Sequence, residues 1–225
     1  MPEANIVKIM IVEDHPLFSK GLSALIASKP EYCVVGEAVN IAEAMHIAKN
    51  NKPALAMVDI NLGPDSGLEL IPRLKSQYPE MSILVLSMHD ERYYSERVLR
   101  LGARGYIMKT ESPQKVLDAI KTVISGKVYL SDTERERILE AMTGENMKGV
   151  KDLSLSIRKL STRELQIFSS IGKGLGTIEI SNKYNLSTKT IDTHKEHIKI
   201  KLHCNSTQDL RQLAIEWASH PGVLL

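Results

Sequence analysis

The stretch Ala54-Leu55-Ala56-Met57-Val58-Asp59-Ile60-Asn61-Leu62-Gly63-Pro64-Asp65-Ser66-Gly67 decides the fold. An apolar run stops at an acid, and Gly and Pro follow within a few residues. A short apolar run bounded by turn residues reads as a buried strand. Open α/β sheets take their ligands beyond the carboxyl ends of such strands. Asp59 therefore stands where chemistry is expected.

The neighbouring sequence repeats the pattern. Residues 6–12 read as a first strand that stops at Glu13-Asp14. Pro16 opens a helix with Leu17, Leu22, Leu25 and Ile26 as its apolar face. Residues 33–36 form a second strand, and Ile41, Ala44, Met45 and Ala48 mark a second helix. Strand three covers 54–58, and residues 67–78 are helical, with Pro72 counting against that assignment. Strand four, 83–86, ends at Ser87, and a helix spans 93–101. Strand five, 105–108, ends at Lys109, and the last helix of the series runs over 113–124. Strands alternating with helices predict a doubly wound α/β domain, a five-stranded parallel sheet of flavodoxin-like type. Right-handed crossovers gather the strand ends on one edge, which brings Glu13, Asp14, Asp59, Ser87 and Lys109 together.

The chain has 225 residues, enough for two domains, with an ordinary 43% hydrophobic and 25% charged composition. No apolar stretch approaches the roughly 18 residues of a membrane span, so no membrane association is expected. The start, Met1-Pro2-Glu3-Ala4-Asn5, lacks the basic and apolar regions of a signal peptide. Cys33 and Cys204 match no metal or redox spacing and read as buried thiols of a reducing cytoplasm. Charge is uneven: residues 1–125 carry 14 Lys and Arg against 15 Asp and Glu, whereas residues 151–225 carry 11 against 7. A basic tail on a slightly acidic head suits a polyanionic partner.

The expected division is 1–127 for the α/β domain, 128–157 for a linker with a short helix over 131–142, and 158–225 for a small all-α domain. In the last, Ser161 and Glu164 fit a capping box. Thr177 is the candidate cap of a short helix, Asn185-Leu186-Ser187 a tight turn, and residues 188–202 a longer helix. Ser206 caps a final helix. Two helices joined by a short turn, the second polar on one face, suggest a helix-turn-helix. Ile191, Ile198 and Leu202 face inward. Lys189, Thr190, Asp192, Thr193, Glu196 and His197 are placed to meet double-stranded DNA, with Lys195, Lys199 and Lys201 flanking them for phosphates. The final helix, through Leu210, Leu213 and Trp217, is the expected dimer contact on DNA, with some of that stripe packing on its own domain. The competing reading is a small helical bundle with a solvated charged face.

Crowded carboxylates at the strand ends call for a hard cation, and Mg²⁺ suits oxygen ligands. Asp59 would be the nucleophile toward a phosphoryl donor. Glu13 and Asp14 would hold the metal with Asp59 and the Asn61 carbonyl. Lys109 and the Ser87 hydroxyl would meet the phosphoryl oxygens. Taken singly, each residue has a plain structural explanation as a cap or a solvated charge.

Together, these residues resemble the receiver domains of bacterial two-component response regulators, over about residues 6–125. The resemblance implies phosphorylation of Asp59 by a sensor histidine kinase. It makes Glu13 and Asp14 the metal acids, Ser87 and Lys109 switch residues, and Tyr106 the aromatic that turns inward. Gly63, with Pro64 next, stands where the family usually has proline, and Thr110 follows Lys109 in another usual proline position. In the second half, Leu160-Ser161-Thr162-Arg163-Glu164, Gly174-Leu175, Glu179-Ile180, Leu186-Ser187-Thr188-Lys189-Thr190-Ile191, His194, Ile198 and Lys201-Leu202 look like a LuxR-type output domain. The whole chain is similar to the NarL/FixJ group. That similarity implies a cytoplasmic transcription factor that binds DNA as a homodimer when phosphorylated and is no enzyme beyond its own phosphorylation and dephosphorylation. Asp192 and Glu196 depart from the basic or neutral residues of many relatives. Three alternatives compete: a regulator acting without phosphorylation, a ligand-sensing regulator, and a Mg²⁺-dependent aspartyl phosphohydrolase. The last needs a second acid at the position of Asn61.

Overall fold

The computed structural model describes residues 6–63, 65–143, 156–157 and 159–219. The expectations for residues 1–5, for Pro64, for the break at Gly144-Glu145-Asn146 and for a domain start at 158 lie outside the described residues. The chain divides into two compact units, Met1–Ile138 and Leu139–Leu225.

In the first unit, β1 (Val7–Val12), β2 (Tyr32–Ala38), β3 (Leu55–Asp59), β4 (Asn61–Leu62), β5 (Asp65–Ser66), β6 (Ser82–Ser87) and β7 (Gly105–Met108) alternate with helices. These are α1 (Pro16–Ala27), α2 (Ile41–Asn51), α3 (Gly67–Gln77), α4 (Glu91–Arg100) and α5 (Pro113–Ile124), followed by α6 (Asp132–Thr143), within which the first unit ends at Ile138. The parallel sheet has the order β2-β1-β3-β6-β7. Successive residues of β1 and β3 point to opposite faces and are buried on both. Ile9, Ile11, Leu55 and Met57 pack with Leu22 and Ile26 of α1 and with Ile120 and Val123 of α5. That double burial is why these strands read as continuous apolar runs.

Several local expectations shift. Leu17 is 88% exposed, and its neighbour Phe18 packs on the core. The helical stripe is therefore Phe18, Leu22, Leu25 and Ile26, one residue out of phase with the expected start. Pro72 lies within α3 on its exposed side, so the helix continues through it at the loss of one internal hydrogen bond. Cys33 is exposed and Cys204 half-buried, so neither is the buried thiol expected.

Residues 128–138, expected to be linker, pack on the first unit. Tyr129 makes a parallel bridge to Gly105: the Tyr106 amide donates to the Tyr129 carbonyl, and the Tyr129 amide donates to the Arg104 carbonyl. Glu134 of α6 is buried, accepts a hydrogen bond from Ser95 of α4, and pairs bidentately with Arg137. The Ser131 amide donates to the Glu91 carboxylate, which burial pushes up from the ordinary carboxylate range.

The second unit contains α7 (Thr162–Gly172), α8 (Thr177–Tyr184), α9 (Thr188–Leu202) and α10 (Thr207–Ser219). Ser161 and Glu164 form the expected capping box of α7. At α8 the cap is Gly176 rather than Thr177, with its amide donating to the Glu179 carboxylate. Asn185 ends α8 in the left-handed region at φ 49°. Ser206 accepts from the Asp209 amide at the start of α10. Helices α7 and α10 approach closely: a β-carbon on Gly172 would lie 2.4 Å from the Ala214 carbonyl oxygen.

Candidate functional site

β3 ends in Asp59, and the register pairs Asp59 with Leu86 of β6, so Ser87 stands one residue further along the neighbouring strand. β7 pairs Ser87 with Met108, and the Lys109 amide donates to the Ser87 carbonyl. Glu13 and Asp14 follow β1 directly. The strand ends thus deliver the five expected polar residues to one edge of the sheet.

Lys109 is the hinge of this cluster. Its Nζ lies 2.5 Å from Glu13 Oε2 and 2.8 Å from Asp59 Oδ2, and all three side chains are at least nine-tenths buried. The ammonium also sits 4.7 Å from the centre of the Phe18 ring. Sequence reasoning missed Phe18 because it assigned Leu17 to the core. Burial pushes the Asp59 carboxyl up to about 6; Lys109 opposes that rise and Glu13 adds to it. Asp59 Oδ1 and Asp14 Oδ1 are buried without a hydrogen-bond partner. One ligand atom from each of Glu13, Asp14, His15 and Asp59 falls within 4.8 Å of the others. No role was assigned to His15 from sequence, since a lone histidine between a strand end and a proline carries no periodic signal.

The loop after Asp59 is held in a small hairpin. Asn61 pairs with Ser66 and Leu62 with Asp65. Gly63 turns the hairpin at φ +58°, a conformation that favours glycine. Asp65 accepts from the Ile41 amide at the start of α2. Gly67 is required by space: a β-carbon there would lie 1.8 Å from the Asp59 carbonyl oxygen. The hairpin pairing and Gly63 thus shape this loop with no proline at position 63. All peptide bonds among the described residues are trans, including Lys109–Thr110.

The switch residues are linked through His89, which carried no signal in the sequence. The Ser87 hydroxyl accepts from the His89 amide, and the Tyr106 hydroxyl donates to the His89 carbonyl at 2.7 Å. The His89 ring stacks on Tyr94, and its Nε2 lies 3.0 Å from the Asn61 amide nitrogen. Tyr106 is fully buried, and burial pushes its phenol well above the ordinary range.

In the second unit, Ile191, Ile198 and Leu202 point inward as expected. Lys189, Asp192, Thr193, Glu196 and His197 are exposed. Thr190 is half-buried and shares a hydrogen bond with the Ser187 hydroxyl at the start of α9. The flanking lysines have intramolecular partners. Lys195 donates to Thr177 Oγ1, Lys199 pairs with Glu196 at 2.9 Å, and Lys201 pairs with the buried Glu164 at 2.6 Å. Lys201 therefore ties α9 to α7. The expected dimer stripe needs correction. Leu210 and Trp217 are buried in their own unit, with Trp217 tilted on Phe168 at 5.3 Å, and Leu213 is only half-buried. Surface already spent on a core leaves Leu210 and Trp217 little to offer a second chain.

Among the described residues, no helix is long and apolar enough to cross a membrane. Residues 9–121 match the family "Response regulator receiver domain", and residues 158–214 match "Bacterial regulatory proteins, luxR family". The chain is similar to the oxygen regulatory protein NreC of Staphylococcus aureus, 33% identical over 211 residues, covering 93% of this chain and 97% of that protein. NreC of Staphylococcus carnosus is 31% identical over the same span. The crystal structure of a LuxR-family two-component response regulator from Aurantimonas superposes with a TM-score of 0.58 at 28% identity, covering 61% of this chain and 99% of that one. RcsB of Salmonella enterica serovar Typhimurium, bound to promoter rprA with the phosphomimetic BeF3⁻, shares the fold at a TM-score of 0.62 and 23% identity, covering 94% of this chain and 99% of that one. Sheet, strand-end cluster and helix-turn-helix all agree with these matches: the chain belongs to the two-component response regulators, DNA-binding transcription regulators in which a receiver domain is joined to a LuxR-type output domain.

Proposed function

We propose that Asp59 accepts a phosphoryl group from a sensor histidine kinase, and that the change governs dimerisation and DNA binding by residues 158–225. An Asp59 carboxylate oxygen forms a bond to phosphorus. The phosphorus–nitrogen bond of the donor phosphohistidine breaks, and its electron pair stays on the imidazole nitrogen. Lys109 balances the added charge, and the Ser87 hydroxyl turns from the His89 amide toward a phosphoryl oxygen. Tyr106, bonded to the same stretch of backbone, follows.

The residues fit Mg²⁺. The donors are hard carboxylate oxygens, and two of them, Asp14 Oδ1 and Asp59 Oδ1, are buried and unpaired. Glu13, Asp14, Asp59 and the Asn61 carbonyl would hold the ion. A bound Mg²⁺ supplies positive charge that offsets the carboxylates and the incoming phosphoryl group.

The single observation that carries this reading is the Lys109 ammonium held between Glu13 and Asp59. The phosphohydrolase alternative lacks its acid, because Asn61 supplies an amide. Functionally, residues 128–138 belong with the receiver, and the output domain is 158–225. On α9, Lys189, Thr193 and the acids Asp192 and Glu196 are proposed to face base edges, with Lys199 near phosphates. The active form is a cytoplasmic homodimer. The test is labelling by a small phosphodonor with Mg²⁺, followed by DNA binding. One label per chain, absent in Asp59→Asn, and tighter binding of the labelled chain are expected. Full labelling of Asp59→Asn would refute the site.

A further inference from the structure

His15 is the ligand-bearing side chain at the acidic pocket that phosphoryl acceptance leaves without a task. It stands at the cap position of α1 with extended backbone, φ −96° and ψ 104°, yet its side chain makes no capping hydrogen bond. The ring turns back over the pocket instead. Its Nδ1 donates to Glu13 Oε1 at 3.0 Å and lies 2.8 Å from Asp14 Oδ1. The backbone amide of His15 also donates to Glu13 Oε1, which fixes the turn.

The approach to Asp14 lacks hydrogen-bond geometry, for Asp14 Oδ1 has no hydrogen-bond partner. Asp59 Oδ1 has none either, on a side chain only 3% exposed that opens into the same cluster. Three carboxylates and an imidazole nitrogen, all within 4.8 Å, therefore meet around two buried oxygens, Asp14 Oδ1 and Asp59 Oδ1, that lack hydrogen-bond partners. A divalent cation relieves that arrangement. Mg²⁺ favours oxygen and keeps its waters, whereas imidazole is a preferred ligand of the first-row transition ions.

We propose that His15 is a nitrogen ligand of this pocket and tunes it toward a divalent transition-metal ion over Mg²⁺. The proposal rests on the acidic pocket being a metal site, as argued above. A neutral ring would place Nδ1 beside the oxygens of Asp14 and Asp59, while Lys109 continues to hold Glu13.

The test uses the full chain without phosphodonor and Co²⁺ as the probe, followed by calorimetry and visible absorption, with Mg²⁺ titrated in parallel. His15→Ala is expected to weaken Co²⁺ at least tenfold, change the Co²⁺ spectrum, and alter Mg²⁺ affinity by less than twofold. Asp59→Ala, as a control of place, should remove the same Co²⁺ isotherm. Equal losses for both ions in His15→Ala would mean that His15 only shapes the turn, and no loss would mean that it does not ligate; either overturns the proposal. Co²⁺ binding that survives Asp59→Ala also overturns it, since the ion then sits elsewhere. If wild type binds neither ion, the pocket is no metal site, and the broader reading fails with it. Binding of both ions with no effect of His15→Ala refutes the ligand alone.

Discussion

Replacing Asp59 by Asn should stabilise the receiver at neutral pH, even as it destroys the acceptor. Burial raises the Asp59 carboxyl from an ordinary 3.8 to about 6. Below the unfolded value both states are protonated, and the site costs nothing. As pH rises, the unfolded chain ionises first, and the folded chain follows near 6. The folded state therefore loses stability across that window and carries the full penalty above it, about 3 kcal/mol. Lys109 is not orphaned by the change, because Glu13 Oε2 remains 2.5 Å away. Asp59→Asn should thus gain up to about 3 kcal/mol at about pH 7.5, roughly 10 °C in Tm, and almost nothing near pH 4. The chain has one tryptophan, Trp217, in the second unit. Far-ultraviolet circular dichroism sees both units and tryptophan fluorescence only the second, so the transition absent from fluorescence belongs to the receiver. Mg²⁺ should narrow the gap by stabilising wild type more than the variant. A variant no more stable than wild type at neutral pH, with a difference that does not grow with pH, would refute the buried-charge argument.

Gly67→Ala should destabilise the receiver by more than about 3 kcal/mol and depress phosphodonor labelling, because the new methyl group collides with the Asp59 carbonyl; chemical denaturation and labelling check this. Glu134→Ala should cost about 2–3 kcal/mol by leaving the Ser95 hydroxyl without its acceptor and Arg137 without its partner. Amide exchange over residues 131–138 should accelerate, while the strands keep their protection. Glu196→Gln should free Lys199 from its 2.9 Å pair and remove an acid from the exposed face of α9. Non-specific DNA binding should strengthen and its salt slope steepen by about one, read by titrations at several salt concentrations.

The sheet was legible because each strand is a short apolar run ended by a polar residue. Residues 105–108 and 113–124 match the observed β7 and α5 at both ends. The strand-end cluster was legible for the same reason, since topology alone gathers those ends. The rest depended on spatial neighbours that periodicity does not encode. Phase at the start of α1 was ambiguous between Leu17 and Phe18, and the cation beneath the ring settles it. His89 couples Ser87, Tyr106 and Asn61 largely through its backbone, and a backbone role leaves no mark in side-chain pattern. Leu210 and Trp217 formed an apolar stripe, but a stripe does not say whether its own domain or a second chain covers it. The length of the receiver was misjudged because Tyr129 and Leu130 join the fold by a single bridge and one buried side chain.

That bridge bears on where the chain can be cut. β7 is the outermost strand on its side of the sheet, and an open edge is a template for aggregation. Here the chain's own exit strap covers the Tyr106 amide and the Arg104 carbonyl. Gly105 permits the close approach, since a β-carbon would lie 3.1 Å from the Tyr129 carbonyl oxygen. A receiver truncated at residue 127 would bare those groups and lose Leu130 from its cover. Such a fragment should be sticky and concentration-sensitive, and a self-association measured on it would report the missing strap rather than the signalling state. A fragment carried through residue 138 keeps the edge closed.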